Sequence, residues 1–229
     1  MVRLREIKYK KKIKIVMLFI LFISITLEAN TRALKKIYES ENRIALVIGN
    51  NNYTHKRLGT LQNPINDARA MKKALKKLGF SVYYGENLTV RDMDKKVSKF
   101  SRALRHGGVG LFFFAGHGIE SQGQNYLMGT NSNIDDEDDV SYESLELKKV
   151  LQKMQNSGNR LNIVLLDGNG KNGVFTVQIL KNIDRVGVPI EKIFKDVKVG
   201  VLHSTHNRQR PWTNSDITQN IMVILPELG

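Results

Sequence analysis

Short apolar runs alternate along the chain with segments whose apolar residues recur every three or four positions. Arg43–Ile48 (RIALVI) predicts a first strand and Ser81–Tyr84 (SVYY) a second. Val109–Ala115 (VGLFFFA) and Asn162–Leu166 are apolar without alternation, which suits strands buried on both faces. Between these runs, Ile65, Ala68, Met71, Leu75 and Leu78 predict an amphipathic helix, opened by Pro64 and stopped by Gly79. Met93, Val97, Phe100 and Leu104 predict a second helix, with Thr89 and Asp92 as its capping pair. Leu147, Val150, Leu151 and Met154 place a third over Leu145–Met154. Phe175, Ile179, Leu180 and Ile183 predict a fourth. Ile190, Ile193, Phe194, Val197 and Val201, after Pro189, predict a fifth. A short hairpin is expected around Asn125–Met128, an acidic loop over Asp135–Asp139, and a last apolar run over Ile221–Leu225. Alternating strands and helices imply one α/β domain with a mostly parallel sheet and helices on both faces. Ligands of such sheets gather at the carboxyl ends of the strands.

The N-terminus has its own pattern. Arg3, Arg5, Lys8, Lys10, Lys11, Lys12 and Lys14 precede the apolar run Ile15–Leu27, and Ala29 offers a small residue for cleavage. A basic region, a short apolar region and a small residue read as a secretory signal peptide over 1–29. The run is short for a span of about 20 apolar residues. The expectation is therefore an exported protein, with an uncleaved N-terminal membrane anchor as the alternative. Residues 30–42 form a polar lead-in. The whole chain carries 36 basic and 22 acidic residues, a formal net charge of +14. Residues 1–29 hold seven basic and two acidic ones, so 29 basic and 20 acidic remain, a net +9. The lysines lie mostly on polar helix faces and no basic-aromatic motif accompanies them, so no nucleic-acid partner is expected.

The chain contains no cysteine. That excludes disulfides, a cysteine nucleophile and thiolate metal sites. Candidate chemistry lies instead at the predicted strand ends. His117 sits between Gly116 and Gly118 just past the third main strand, where an imidazole suits acid–base work. The Gly118 N–H can face the same spot. Asp167 ends the fourth main strand, and Asp67, near the start of the first helix, can reach the same crevice. Beyond Asp167, Gly168, Gly170 and Gly173 spell G-x-G-x-x-G, a dinucleotide-binding pattern. That pattern normally opens the first βα unit, whereas here it follows the fourth predicted strand.

The segments RIALVIGNNNY, LQNPINDARAMKKALKKLGF, FFFAGHGIE and NIVLLD follow one another in an order that resembles the caspase-like cysteine peptidases, and most of all the metacaspase-like (orthocaspase) branch. NGVFTVQIL and NRQRPW also look like segments near the end of that domain, so the resemblance runs from Arg43 to Ile221. It implies a caspase-like three-layer sandwich over 43–229 and a Cys/His dyad that hydrolyses peptide bonds. His117 matches the dyad histidine, and the Gly118 N–H an oxyanion donor. Asp67 and Asp167 match acidic residues that receive an Arg or Lys side chain at the cleaved bond, so the implied partner is a peptide or protein segment with a basic residue. The family pattern after this strand reads Leu-Asp-Ala-Cys-Arg, but here Asn169 stands at the cysteine position. Asp167 runs almost directly into a segment that resembles a later part of the domain. An internal stretch near 167–170 therefore looks deleted, together with one strand and the cysteine.

The expected function is thus a caspase-family chain without catalytic activity, the family activity being cleavage after Arg or Lys. The alternatives are a hydrolase with another nucleophile, such as Ser204 or Thr205, and a nucleotide-binding module built on GNGKNG. No cofactor is expected. Calcium at Asp135–Asp139 is a weak alternative, since the run lacks the EF-hand spacing. A missing strand would also leave a sheet edge open to self-association.

Overall fold

In the computed structural model, residues 42–104, 108–167, 173–185, 188 and 192–207 are described in full, and 190–191, 212–216 and 221–225 as backbone. Residues 1–29, expected to form a signal peptide, residues 30–41 and the glycine-rich stretch 168–172 lie outside the described residues.

Nine strands and five α-helices are described. The main sheet contains β1 (Arg43–Gly49), β2 (Ser81–Glu86), β3 (Val109–Ala115), β7 (Leu161–Asp167), β8 (Trp212–Asp216) and β9 (Ile221–Leu225). Their order is β2-β1-β3-β7-β9-β8. All neighbours are parallel except β8, which runs antiparallel to β9. A smaller sheet is formed by β4 (Gly118–Ser121), β5 (Gln124–Met128) and β6 (Ser144–Glu146). The helices are α1 (Pro64–Lys77), α2 (Val90–Ala103), α3 (Leu147–Gln155), α4 (Val174–Asn182) and α5 (Ile190–Ser204).

The pleat of the central strands sorts their side chains into two cores. Ile44, Leu46, Ile48, Phe112, Phe114, Val164 and Leu166 face α2 and α3, against Met93, Val97, Phe100, Val150 and Met154. Their sequence neighbours Ala45, Val47, Leu111, Phe113, Ile163 and Leu165 face α1, α4 and α5, against Met71, Leu75, Phe175, Ile179, Phe194 and Val197. This gives three layers, helix–sheet–helix, and explains why β3 shows no alternation: every one of its residues is buried. The caspase-like sandwich implied by the sequence is the observed fold.

Local signals fall where expected. Thr89 caps α2 by accepting the Asp92 N–H at 3.2 Å, and Gly79 follows α1 at φ +81°. The two-residue turn of the β4–β5 hairpin is Gln122-Gly123, both at positive φ, as tight hairpins require. Three expectations change. The third helix starts at Leu147, because Ser144–Glu146 pairs with Tyr126–Met128 as β6. The acidic run is not a plain loop: Glu137–Ser141 forms a 3-10 helix closed by a reciprocal Asp136/Asp139 capping box. Finally, no described residue between β7 and α4 forms a strand, yet the edge of β7 is not left open. β9 occupies it over Asn162–Leu165.

Candidate active site

Three chain segments meet at the carboxyl ends of β1, β3 and β7. β3 and β7 run in register, so Ala115 is the ladder partner of Asp167. Past the ladder, the Gly116 N–H donates to Asp167 O at 3.1 Å, and the Asn50 N–H to Ala115 O at 2.9 Å. The turn to His117 follows at once. A side chain on Gly116 would lie 2.5 Å from the Tyr53 hydroxyl, so glycine is needed there.

His117 is held from two sides. Its backbone N–H donates to the Tyr53 hydroxyl at 2.8 Å, and the two rings meet edge to face with centroids 4.7 Å apart. Tyr53 is itself buried, and burial raises its phenol pKa well above the ordinary value. Nε2 of His117 lies 2.6 Å from the carbonyl oxygen of Leu58. A carbonyl only accepts, so Nε2 carries the proton and, in the neutral ring, Nδ1 is the basic nitrogen. A base oriented by a third group is the arrangement that activates a nucleophile. Gly118 opens β4 directly after it, opposite Leu127.

The two acids also come together. Asp167 ends β7 and is only 7% exposed. Its Oδ2 accepts the Thr176 hydroxyl at 2.5 Å, and the Thr176 backbone N–H faces the same carboxyl. Burial nevertheless pushes its pKa up to about 6. Asp67, half-buried in the first turn of α1, is pushed up to about 7 by burial and then by the charge of Asp167. Both carboxyls reach the first turn of α4. Gly173 stands at φ +57°, and a Cβ there would meet Asp67 Oδ1 at 2.5 Å. Among the described residues no lysine or arginine forms an ion pair with either acid. Two carboxylates in one partly dry site cannot both ionise cheaply, and a guanidinium or ammonium group is their natural complement.

Other candidates do not assemble. Ser204 accepts from Gln178 Nε2 at 3.0 Å, and Thr205 donates its hydroxyl to Val201 O at 2.8 Å, so neither hydroxyl is set against a histidine by these bonds. In the acidic run, Asp139 Oδ2 accepts the N–H groups of Asp135 and Asp136, both at 3.0 Å. Those two bonds lower the Asp139 pKa. Among the described residues, no three His, Asp or Glu side chains gather as a metal-binding group. Of the glycine pattern only Gly173 is described; Gly168, Asn169 and Gly170 lie outside the described residues.

The sequence singles out His117, Gly118, Asp67 and Asp167 as candidates, and the structure sets them at or beside the ends of β3 and β7; the sequence does not single out Leu58, Tyr53 and Thr176, which contact His117 and Asp167. Leu58 acts through its backbone carbonyl, which no residue type advertises. Tyr53 and Thr176 were visible within the segments RIALVIGNNNY and NGVFTVQIL, but nothing in the spacing tied them to His117 and Asp167.

Comparison with known proteins gives the family and the fold. The chain is 31% identical over 129 residues to human (Homo sapiens) mucosa-associated lymphoid tissue lymphoma translocation protein 1. It is 31% identical over 130 residues to the Mus musculus homolog. Each alignment covers 56% of this chain and 15% of the relative, so the chain spans a small part of those proteins' length. The fold superposes on the Drosophila initiator caspase Dronc with a TM-score of 0.58 at 9% identity, covering 72% of this chain and 76% of that one. The family model of the caspase domain matches residues 42–167, more than half of the chain, from the residue before β1 to the last residue of β7. The strands, the oriented histidine and the paired acids all lie within or beside that match, and the chain belongs to the caspase-domain family.

Proposed function

We propose that this protein is a caspase-family chain that binds peptides carrying a basic residue and does not cleave them. The observation that carries the reading is the absence of any cysteine in 229 residues, beside a histidine still oriented for catalysis. His117 has its proton fixed on Nε2 by Leu58, yet the family's nucleophile position falls on Asn169, whose amide has no proton that such a base could remove to make a nucleophile. The family match ends at Asp167, where the sequence departs from the family pattern. That supports a shortened domain over 43–229, lacking the stretch that would bring the cysteine. In this reading the Gly118 N–H is a relic of the oxyanion site.

The acids Asp67 and Asp167 supply the remaining affinity. Their shared charge favours an arginine or lysine side chain, so the partner class is a peptide or protein segment with a basic residue. Residues 1–29 would export the protein, or anchor it if left uncleaved.

Fluorescence anisotropy with an arginine-terminated peptide and a glutamate-terminated control tests the binding. The arginine peptide should bind, Asp67→Asn should weaken it, and mass spectrometry should recover it intact. Equal affinity for the two peptides would refute the acid-pair reading.

A further inference from the structure

The acidic run contacts the loop that orients His117. The segment between β1 and α1 carries a turn from His55 to Gly59, in which the N–H groups of Leu58 and Gly59 both donate to His55 O, at 3.1 and 3.4 Å. This turn presents Leu58 O to His117. A bridge between Asn52 and Thr60 closes its base, and the Thr54 N–H donates to Thr130 O at 2.9 Å. Its tip is held chiefly by one residue. His55 Nε2 lies 3.4 Å from Asp135 Oδ1. Arg57 Nη1 donates to Asp135 O at 3.1 Å and lies 4.0 Å from Oδ1. His55 Nδ1 is buried and has no hydrogen-bond partner among the described residues. A buried ring nitrogen costs less unprotonated than as an unmatched donor, so the His55 proton belongs on Nε2, facing Asp135. Asp135 is in turn aimed by its neighbours, since its own N–H is tied to Asp139 Oδ2.

We propose that Asp135 is a positioning residue: by gripping His55 and Arg57 it fixes Leu58 O against His117 Nε2 and so sets the tautomer of the base. A run of five acids thereby gains a specific use, with Asp135 as the grip and Asp139 as its brace. The contacts are largely solvent-exposed, at 58% for the Asp135 side chain and 71% for Arg57. Exposed pairs contribute little to global stability. Their effect is local, on a turn whose base is held by Thr54, through its N–H and hydroxyl to Thr130 O, and by Asn87 Oδ1, which accepts from the Asn51 and Asn52 N–H groups. The inference rests on His117 standing at the base position. It does not depend on the cation site.

The test is nitrogen-detected NMR of the full chain labelled with 15N-histidine, the His117 signals being assigned by their loss in His117→Gln. In the wild type, the His117 ring nitrogens should show the well-separated shifts of a single Nε2–H tautomer. In Asp135→Ala the two shifts should move toward each other, as an exchanging mixture requires, while the melting temperature stays close to wild type. Arg57→Ala should move them in the same direction. Asp135→Asn, whose amide oxygen can still accept from His55, should restore part of the separation. Asp138→Ala, in the same acidic run, should leave it unchanged. Wild-type His117 shifts in both Asp135→Ala and Arg57→Ala would overturn the proposal, as would an equal change in Asp138→Ala. The readout is blind to whether a peptide binds or is cleaved, so a failure here and a failure of the binding reading are separable.

Discussion

Replacing Asp167 with asparagine should stabilise the protein at pH 8 and reduce the pH dependence of its stability. The folded-state pKa of Asp167 is about 6, against an ordinary 3.8. The folded chain therefore holds a proton that the unfolded chain has already released. Stability from this source is fully present below about pH 4 and is lost as pH rises through 6. Two pKa units correspond to about 3 kcal/mol. Asp67, raised to about 7, extends the window upward. It is half-exposed, so after allowance for solvent screening it adds only about 1 kcal/mol. Asparagine removes the Asp167 charge but weakens the bond from the Thr176 hydroxyl, at a cost of about 1 kcal/mol. The net gain at pH 8 is about 2 kcal/mol, or roughly 4–8 °C in melting temperature for a domain of this size. Urea and thermal unfolding of wild type and Asp167→Asn at pH 5 and pH 8 measure it. The wild type should lose more stability than the variant between the two pH values. A variant less stable than wild type at pH 8, or equal losses in both, would refute the reasoning.

Gly173→Ala should cost about 1–3 kcal/mol, because a side chain there must take a left-handed conformation and meets Asp67 Oδ1 at 2.5 Å. In an Asp67→Ala background part of that cost should vanish, so a double-mutant cycle by urea unfolding should be non-additive; additivity would mean that the contact is not made. Phe113→Ala, fully buried between the strands and α1, α4 and α5, should lose about 3–5 kcal/mol in the same assay. Thr89→Ala should lose about 1 kcal/mol, since it removes the side-chain cap of α2; no measurable change would indicate that water replaces the cap.

The layered fold was legible because its signals are local. Buried strands such as β3 show as unbroken apolar runs, and α1 and α2 show as apolar stripes between a proline or threonine start and a glycine or polar stop. What escaped depends on partners distant in sequence. Ser144–Glu146 is too short for a period of two to register, and it is a strand only because Tyr126–Met128 lies beside it. Trp212–Asp216 is mostly polar and extends the sheet only through β9. That pairing, across more than 50 residues from Asn162 to Ile221, also covers the edge of β7 that the sequence alone leaves without a neighbour. At the site, His117, Asp67 and Asp167 were legible because glycines and strand ends flagged them. Leu58 O was not, since the group that orients the base belongs to the backbone and its position is set by a turn whose grip, Asp135, lies 77 residues away.

The central claim is that an oriented histidine and a cation site survive without a nucleophile. Its most direct test is hydrolysis of an arginine-terminated fluorogenic peptide by the purified protein, with His117→Ala assayed beside it. The account predicts no release above buffer for either protein, with or without calcium. Release by the wild type that is abolished in His117→Ala would contradict it.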